Sequence, residues 1–380
     1  MQRFGSTVAG SEWAACARNF YVLTGGNHLN ILDQYGYHPS MCPSLPQETI
    51  PARITAVHRE RYDIVCEYGE GSAQLKAGVY YVPFPEEAYP TVGDFVLIRY
   101  NPYGDHQVVK TLPRKTCFTR KDPDPNVGEQ VVAANFDTVF MFTSLNKDFN
   151  TKRLERYLAL THQSGAEAII ILTKADLATD PQELNRMITD VRAMAGDSVI
   201  LTVSSKTGQG LEEARAYIQP QKTIVCLGSS GVGKSSLINA LAGEEIMKIG
   251  EIREDDDKGR HTTTHRQLIL MKNGALFIDT PGMRELGLWN AEAGLEEAFA
   301  DIEALIQNCR FSDCHHGNEP GCAVQHAIYT GELERSRWER YRSLKNEVRY
   351  NEDKLAYLQA KKEWHKSINK ANKQRQKLRR

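Results

Sequence analysis

Eight consecutive residues, Gly228-Ser229-Ser230-Gly231-Val232-Gly233-Lys234-Ser235, constrain this chain more than any other stretch. They satisfy G-x-x-x-x-G-K-[ST] in full and lie between an apolar run, Thr223 to Leu227, and a helix-like run, Ser236 to Ala242. In that strand–loop–helix setting, glycines let successive backbone N–H groups and the helix N-terminus point at phosphate oxygens. Lys234 is then placed to neutralise β- and γ-phosphates and Ser235 to hold Mg²⁺, with Ser236 completing the nucleotide-binding run.

The flanking pattern predicts the fold around this loop. Asp137 to Thr143, Ala168 to Thr173, Ser198 to Val203, Thr223 to Leu227 and Ala275 to Ile278 read as strands, with amphipathic helices at Thr151 to Ser164 and Pro181 to Ala195. This alternation predicts a parallel sheet covered by helices. Upstream, Ile54 to Val57, Tyr62 to Glu67, Val79 to Val82, Val92 to Tyr100 and Gln107 to Thr111 read as five short strands between Gly, Pro and Asp turns. That spacing predicts a small barrel, and an oligonucleotide-binding barrel and an SH3-like barrel would read almost identically. The expected organisation is an unassigned extension (1–49), a barrel (50–114), a basic, proline-punctuated linker (115–130), the phosphate-loop domain (131–290), a helical domain (291–345) and a basic tail (346–380).

Asp279-Thr280-Pro281-Gly282 follows a buried strand, where Asp279 is expected in the Mg²⁺ shell and Gly282 offers its backbone N–H to a γ-phosphate. The polar stretch Glu244 to Arg266, containing Gly259-Arg260-His261-Thr262-Thr263-Thr264, reads as a switch segment. One of its threonines, assigned here as Thr263, would join the Mg²⁺ shell only when a γ-phosphate is present. Base identity rests on Thr173-Lys174-Ala175-Asp176 and on Ser204-Ser205-Lys206, each ending a strand. The Asp176 carboxylate can accept from the N1 and exocyclic N2 positions of guanine, a donor pair that adenine lacks, so GTP and GDP are the expected ligands. The base-reading loops precede the phosphate loop, a circular permutation of the usual order, which is tolerable when natural termini lie close together.

Cys309-x4-Cys314-x-His316-x5-Cys322 supplies three thiolates and an imidazole among turn-forming residues. Four ligands with no spare position predict one structural Zn²⁺, although His315 is adjacent and spacing alone does not choose between the rings. Cys16, Cys42, Cys66, Cys117 and Cys226 are scattered and read as small buried hydrophobes.

At 380 residues the chain is expected to hold two or three cores. Its apolar runs are too short to cross a bilayer and its N-terminus lacks a cleavable signal, so a cytoplasmic monomer with no membrane contact is expected. The formal charge of -1 conceals an asymmetry: residues 331–380 hold sixteen Lys or Arg against seven Asp or Glu. Lys361 to Arg380 alone carries nine basic residues, a candidate contact for RNA phosphates beside its plainer reading as a solubilising tail.

Together these features resemble the ribosome small-subunit-dependent GTPases, the RsgA or YjeQ family, over roughly Ile50 to Tyr341. The resemblance is carried by Asp148-Phe149-Asn150 before Arg156-Tyr157-Leu158, by Thr173 to Leu177, by the phosphate loop through Ser236, by Gly259 to Thr264, by Asp279 to Gly282 and by the Cys/His spacing. It implies a multidomain α/β chain: an oligonucleotide-binding barrel, a circularly permuted P-loop GTPase domain and a C-terminal helical zinc-binding domain. It further implies late assembly work on the small ribosomal subunit and its rRNA, subunit-stimulated GTP hydrolysis, and His316 as the fourth zinc ligand. Met283 stands where Ras-like enzymes carry a water-orienting glutamine, and the resemblance makes His261 the resident catalytic candidate.

One departure is Thr173, which occupies the place where the commonest guanine motif has asparagine and so removes an amide contact. Three competing readings remain: a permuted GTPase serving another RNA assembly, an RNA-binding module that nucleotide locks without productive turnover, and an ATPase or nucleoside kinase in which Thr173 to Asp176 is accidental.

Overall fold

The computed structural model describes residues 30–58, 61–80, 87–121, 129–247, 266–279, 288, 291–317 and 319–351. The chain divides into Met1–Asn30 and Ile31–Arg380, and every element below lies in the second unit.

Five strands come first: β1 (Ile50–Val57), β2 (Tyr62–Cys66), β3 (Gly69–Leu75), β4 (Phe95–Arg99) and β5 (His106–Thr111). Alternation sorts their side chains between two faces. Ala52, Ile54, Ile64, Cys66, Val96, Ile98 and Val108 fill the interior, while Phe95, Leu97 and Leu112 form a second apolar patch with Tyr37 and Met41. The order β1-β2-β3-β5-β4 closes through β4 on β1, and β3 runs parallel to β5 with Ala73 opposite His106. This closed five-stranded arrangement is the oligonucleotide-binding barrel.

The third barrel strand is not the one expected. Ala77–Tyr80 is a single helical turn, and Tyr81 and Val82 lie outside the described residues. Tyr80 is fully buried in the barrel core, with its hydroxyl 3.1 Å from the Thr111 hydroxyl, so its ring fills barrel interior from a helical turn and not from a strand. The missing strand is β3, whose Gly-Glu-Gly-Ser start shows no apolar alternation. A Cβ at Gly71 would stand 2.9 Å from Nε2 of His106, so the barrel requires glycine where the strand signal would otherwise be.

The stretch expected as a linker also carries structure. β6 (Cys117–Lys121) pairs antiparallel with β7 (Glu129–Ala134), and Phe118 and Val132 are buried in the core of the following domain. Part of the unassigned extension is built in likewise, since Leu32 and Tyr35 join that same core.

The second sheet contains β8 (Thr138–Ser144), β9 (Glu167–Thr173), β10 (Val199–Thr202), β11 (Thr223–Leu227), β12 (Gln267–Leu270) and β13 (Leu276–Asp279) in the order β10-β9-β8-β11-β13-β12. Five strands are parallel, and β12, which the alternation did not reveal, is antiparallel to β13. Helices α1 (Thr151–Ser164), α2 (Pro181–Ala195), α3 (Leu211–Arg215) and α4 (Lys234–Ala242) supply the connections. Local chemistry sets their ends: Asn150 caps α1 by accepting from the Arg153 N–H, Gly165 closes it at φ 77°, and Asp180 caps α2 just before Pro181.

Barrel and sheet meet at Ala56 opposite Gln267 and around Arg53. Arg53 is buried and donates to the carbonyls of Gly93 (3.2 Å), Tyr35 (2.5 Å) and Asn135 (2.9 Å) and to the Thr223 hydroxyl (2.9 Å). Burial lowers its pKa to about 10, while Asp137 and Asp94 act to raise it. One guanidinium thus joins barrel strand β1 to β11, the strand that leads into the phosphate loop.

The remaining helices are α5 (Glu292–Ala298), α6 (Ala300–Gln307), α7 (Ala323–Thr330) and α8, over residues 335–351. α5 lies close on α1: a Cβ at Gly294 would come within 2.4 Å of the Ala159 carbonyl oxygen. α8 returns to α1 through Glu155, which is buried and accepts from Nη1 of Arg337 (2.8 Å) and from Arg340 (2.9 Å). The expected boundary at 345/346 falls inside α8, where Val348 is buried and Glu347 is paired with Arg156 at 2.7 Å. No helix among the described residues is long and apolar enough to cross a membrane.

Candidate functional site

The phosphate-loop motif leaves the C-terminal end of β11 and enters α4 at Lys234. Gly231 (φ 71°) and Gly233 (φ 108°) hold backbone conformations that L side chains rarely adopt. Gly228 answers to a different constraint, because a Cβ there would lie 2.8 Å from Cβ of Phe142 on β8. The Lys234 ammonium folds over the loop and donates to the carbonyls of Gly228 (2.8 Å) and Ser229 (2.7 Å).

The residues expected to read the base meet this loop at the same edge of the sheet. The Thr173 hydroxyl donates to the Val232 carbonyl at 2.6 Å, tying the end of β9 to the phosphate loop. Lys174 takes the left-handed conformation at φ 58°, and the Ala175 N–H reaches the Val203 carbonyl at 3.1 Å. Asp176 accepts from the buried Ser204 hydroxyl at 2.6 Å, and Ser204 Oγ in turn accepts from the Thr207 N–H at 3.2 Å. Ser205 is partly exposed and Lys206 exposed beside them. The ends of β9, β10, β11 and β13 thus converge where open α/β sheets bind ligands, outside the carboxyl ends of the strands.

Asp279 ends β13. Burial pushes its carboxyl above the ordinary carboxylate range, and the Lys234 ammonium pulls it back. Among the described residues, this half-buried carboxylate and the Ser235 hydroxyl in the first turn of α4 are hard oxygen donors of the kind that suits Mg²⁺. His261, Thr263 and Gly282 lie outside the described residues.

The second cluster lies between α6 and α7. Cys309, Cys314, His316 and Cys322 present ligand atoms all within 4.8 Å of one another. Nδ1 of His316 is 3.5 Å from Sγ of Cys309 and 3.7 Å from Sγ of Cys322. A tetrahedral ion with sulfur at about 2.3 Å and nitrogen at about 2.0 Å sets a sulfur–nitrogen edge of roughly 3.5 Å, so the donor set fits zinc. His316 reaches in from a left-handed backbone (φ 56°), and it is His316, not His315, whose ring nitrogen lies among the clustered ligand atoms; the His315 backbone N–H donates to the Glu319 carboxylate at 3.1 Å. Burial opposes ionisation of Cys309, but the N–H groups of Ala323 and Val324 at the start of α7 and the neighbouring thiols outweigh it and lower its pKa. Around the cluster, the Gln325 side chain donates to the His316 carbonyl at 2.7 Å and Trp338 meets the His316 ring edge-on at 5.4 Å.

Sequence reasoning missed the residues that join these parts. The Thr173 hydroxyl was visible only as an absent amide. Glu155 lies 182 and 185 residues before Arg337 and Arg340, and no local pattern links them.

A barrel, a P-loop sheet whose base-reading loops precede the phosphate loop, and a C-terminal helical region with a Cys3His cluster together define a circularly permuted P-loop GTPase. The profile of the RsgA GTPase family matches residues 111–289. A curated relative, the small ribosomal subunit biogenesis GTPase RsgA 1 of Listeria innocua, is 44% identical over 338 residues, which span 88% of this chain and 94% of the relative. The crystal structure of YjeQ from Thermotoga maritima superposes with a TM-score of 0.56 at 26% identity, covering 78% of this chain and 97% of that one. YloQ, described as a circularly permuted GTPase, gives a TM-score of 0.54 at 26% identity, covering 80% and 96%. The chain belongs to the RsgA GTPase family.

Proposed function

We propose that this GTPase acts on the small ribosomal subunit during its biogenesis, binding the subunit through its rRNA and releasing it after hydrolysing GTP to GDP and phosphate. The observation that carries the reading is the Thr173–Val232 hydrogen bond, which makes one site of two loops remote in sequence. In that site the backbone of residues 228–236 and the Lys234 ammonium hold the phosphates, and Asp176, braced by Ser204, reads guanine beside Lys174, Ser205 and Lys206. Mg²⁺ neutralises phosphate charge when bound, with Ser235, Asp279 and Thr263 as its protein ligands and the Gly282 N–H at the γ-phosphate. Cys309, Cys314, His316 and Cys322 hold one structural Zn²⁺, because all four positions of a tetrahedral ion are then taken by protein.

His261 orients or deprotonates the attacking water, since Met283 has no group that can do so. His261→Ala is expected to keep GTP binding and lose most subunit-stimulated turnover. The protein works as a cytoplasmic monomer, and the basic residues from Lys361 to Arg380 add phosphate contacts. Co-sedimentation with purified subunits tests the assignment: binding to small subunits with a non-hydrolysable GTP analogue and weaker binding with GDP are expected. Equal sedimentation with large subunits, or no dependence on nucleotide, would contradict it.

A further inference from the structure

A cavity of about 430 Å³ opens where the barrel meets the sheet, at the amino ends of β8 and β11 and so at the opposite end of the sheet from the phosphate loop. None of the residues expected to hold nucleotide or zinc lines it. Its volume falls within the range of about 300–1,000 Å³ in which proteins hold small molecules.

Part of the lining is aromatic: the rings of Tyr37 and Phe95 lie 5.8 Å apart at 54°, with Met41 packed beside them. The rest is cationic, from Arg53, Lys115 and Lys222, against the single carboxylate of Asp137. The Arg53 guanidinium lies 4.7 Å over the Phe95 ring and commits four of its five N–H groups to Gly93, Tyr35, Asn135 and Thr223, which leaves one on Nη1. Asp137 cannot answer these charges further, because its oxygens already accept from Lys222 at 2.9 Å and from the Thr223 N–H at 2.8 Å. Asp94, whose charge also acts on Arg53, is held by Arg114 at 2.7 and 2.8 Å. Lys115 is exposed and has no acidic partner among the described residues, so positive charge is in excess here. The walls are fixed. Asn135 (φ 53°) and Gln221 (φ 65°) both line the cavity in the left-handed backbone region, which residues other than glycine enter at a cost. A Cβ at Gly36 would stand 2.8 Å from the Gln221 carbonyl oxygen, so the turn carrying Tyr37 is pressed against the start of β11.

We propose that this cavity binds a small aromatic anion, a planar ring bearing a carboxylate or phosphate, at a site separate from the nucleotide. The Tyr37 and Phe95 rings supply the face that a planar group packs against, and Lys115 with the remaining Arg53 N–H supplies the charge-assisted donors that an acid group takes. An uncharged apolar ligand would cover those donors and leave them unpaired, at a cost in free energy. A nucleic-acid backbone fits the arrangement less well, because its phosphates repeat along a strand and call for cations spread along a groove, whereas these line one cavity. GDP is not expected to compete, since the phosphate loop lies at the far end of β11.

The test titrates the full chain, saturated with GDP and Mg²⁺, with the fluorescent aromatic anion anilinonaphthalene sulfonate. One saturable site per chain is expected, with the neutral phenylnaphthylamine, which has the same rings without the sulfonate, bound far more weakly. Lys115→Glu is expected to weaken the anion about tenfold or more, while Lys110→Glu, a charge reversal on β5 away from the cavity, leaves it unchanged. Met41→Trp, which puts a larger ring into the cavity, is expected to block the probe, and an unchanged Tm in both cavity variants shows that the fold is intact. Displacement of the probe by adenosine monophosphate or by phenylpyruvate supports the site and tells which acid group it takes. No saturable binding in the presence of GDP, equal binding of the neutral amine, wild-type affinity in Lys115→Glu or in Met41→Trp, an equal loss in Lys110→Glu, or displacement by neither acid would each overturn the proposal.

Discussion

The Thr173 hydroxyl donates to the Val232 carbonyl across 2.6 Å and joins the loop proposed to read the base, at the end of β9, to the phosphate loop. Both residues are buried, so removing the donor leaves a carbonyl that water reaches poorly. Thr173→Val keeps the shape and deletes the bond. GTP and GDP affinity are expected to fall about five- to tenfold, consistent with about 1–1.5 kcal/mol for a net hydrogen bond, while Thr173→Ser retains most of it. Titration with a fluorescent guanine nucleotide measures both, and an unaffected valine variant would show that the loops are joined by packing alone.

Asp279, the proposed Mg²⁺ ligand, is a carboxylate whose burial works against its ionised form. Burial raises its folded pKa and Lys234 opposes the rise, so keeping it ionised at neutral pH costs folding free energy in the nucleotide-free protein. An acid whose folded pKa exceeds its unfolded value destabilises above the unfolded pKa, and that cost fades as the pH falls through it. Asp279→Asn is expected to raise the Tm of the nucleotide-free protein at pH 7 and to abolish the further rise that GTP with Mg²⁺ produces. Differential scanning fluorimetry reads both; a lowered Tm without nucleotide would mean that the carboxylate has an attractive partner outweighing its burial.

The Cys3His cluster closes a turn that carries little apolar packing of its own. Cys322 is also the N-cap of α7, accepting the Gln325 N–H at 3.4 Å, so its loss removes a ligand and a helix cap together. Cys322→Ser and Cys309→Ser are expected to purify without zinc and to be cleaved by protease between residues 305 and 325. Metal analysis of protein prepared without chelator should find one zinc per chain in the wild type, and finding none would remove the assignment.

Glu155 fastens α8 to α1 by accepting from Arg337 and Arg340, and Arg337 also forks onto Asp301 at 2.8 and 2.7 Å. Glu155→Gln leaves two guanidinium groups facing a neutral amide. Breaking a buried ion pair from one side costs about 3–5 kcal/mol, so the first denaturant transition is expected at markedly lower urea. Basal GTP turnover should survive, because the Glu155 carboxylate is bonded to Arg337 and Arg340, away from the phosphate loop.

Legibility followed how local each constraint is. The phosphate loop and the Cys/His turn are short runs in which backbone geometry or metal spacing demands particular residues, so Gly231, Gly233 and Cys309 to Cys322 stand out unaided. β3 was hidden because Gly71 yields its side-chain space to His106, and the buried Tyr80 run mimicked the strand it replaces. β6 was hidden by the prolines around it, although Phe118 is core. Arg53 and Glu155 depend on partners distant in sequence, which pattern alone does not pair.

Phosphate release from GTP, measured alone and with purified small or large ribosomal subunits, tests the central claim most directly. Turnover is expected to be slow for the protein alone, to rise about 10²-fold or more with small subunits, and to stay at the basal rate with large subunits and in Lys234→Ala under every condition. Stimulation by large subunits equal to that by small ones, or none by either, would contradict the account.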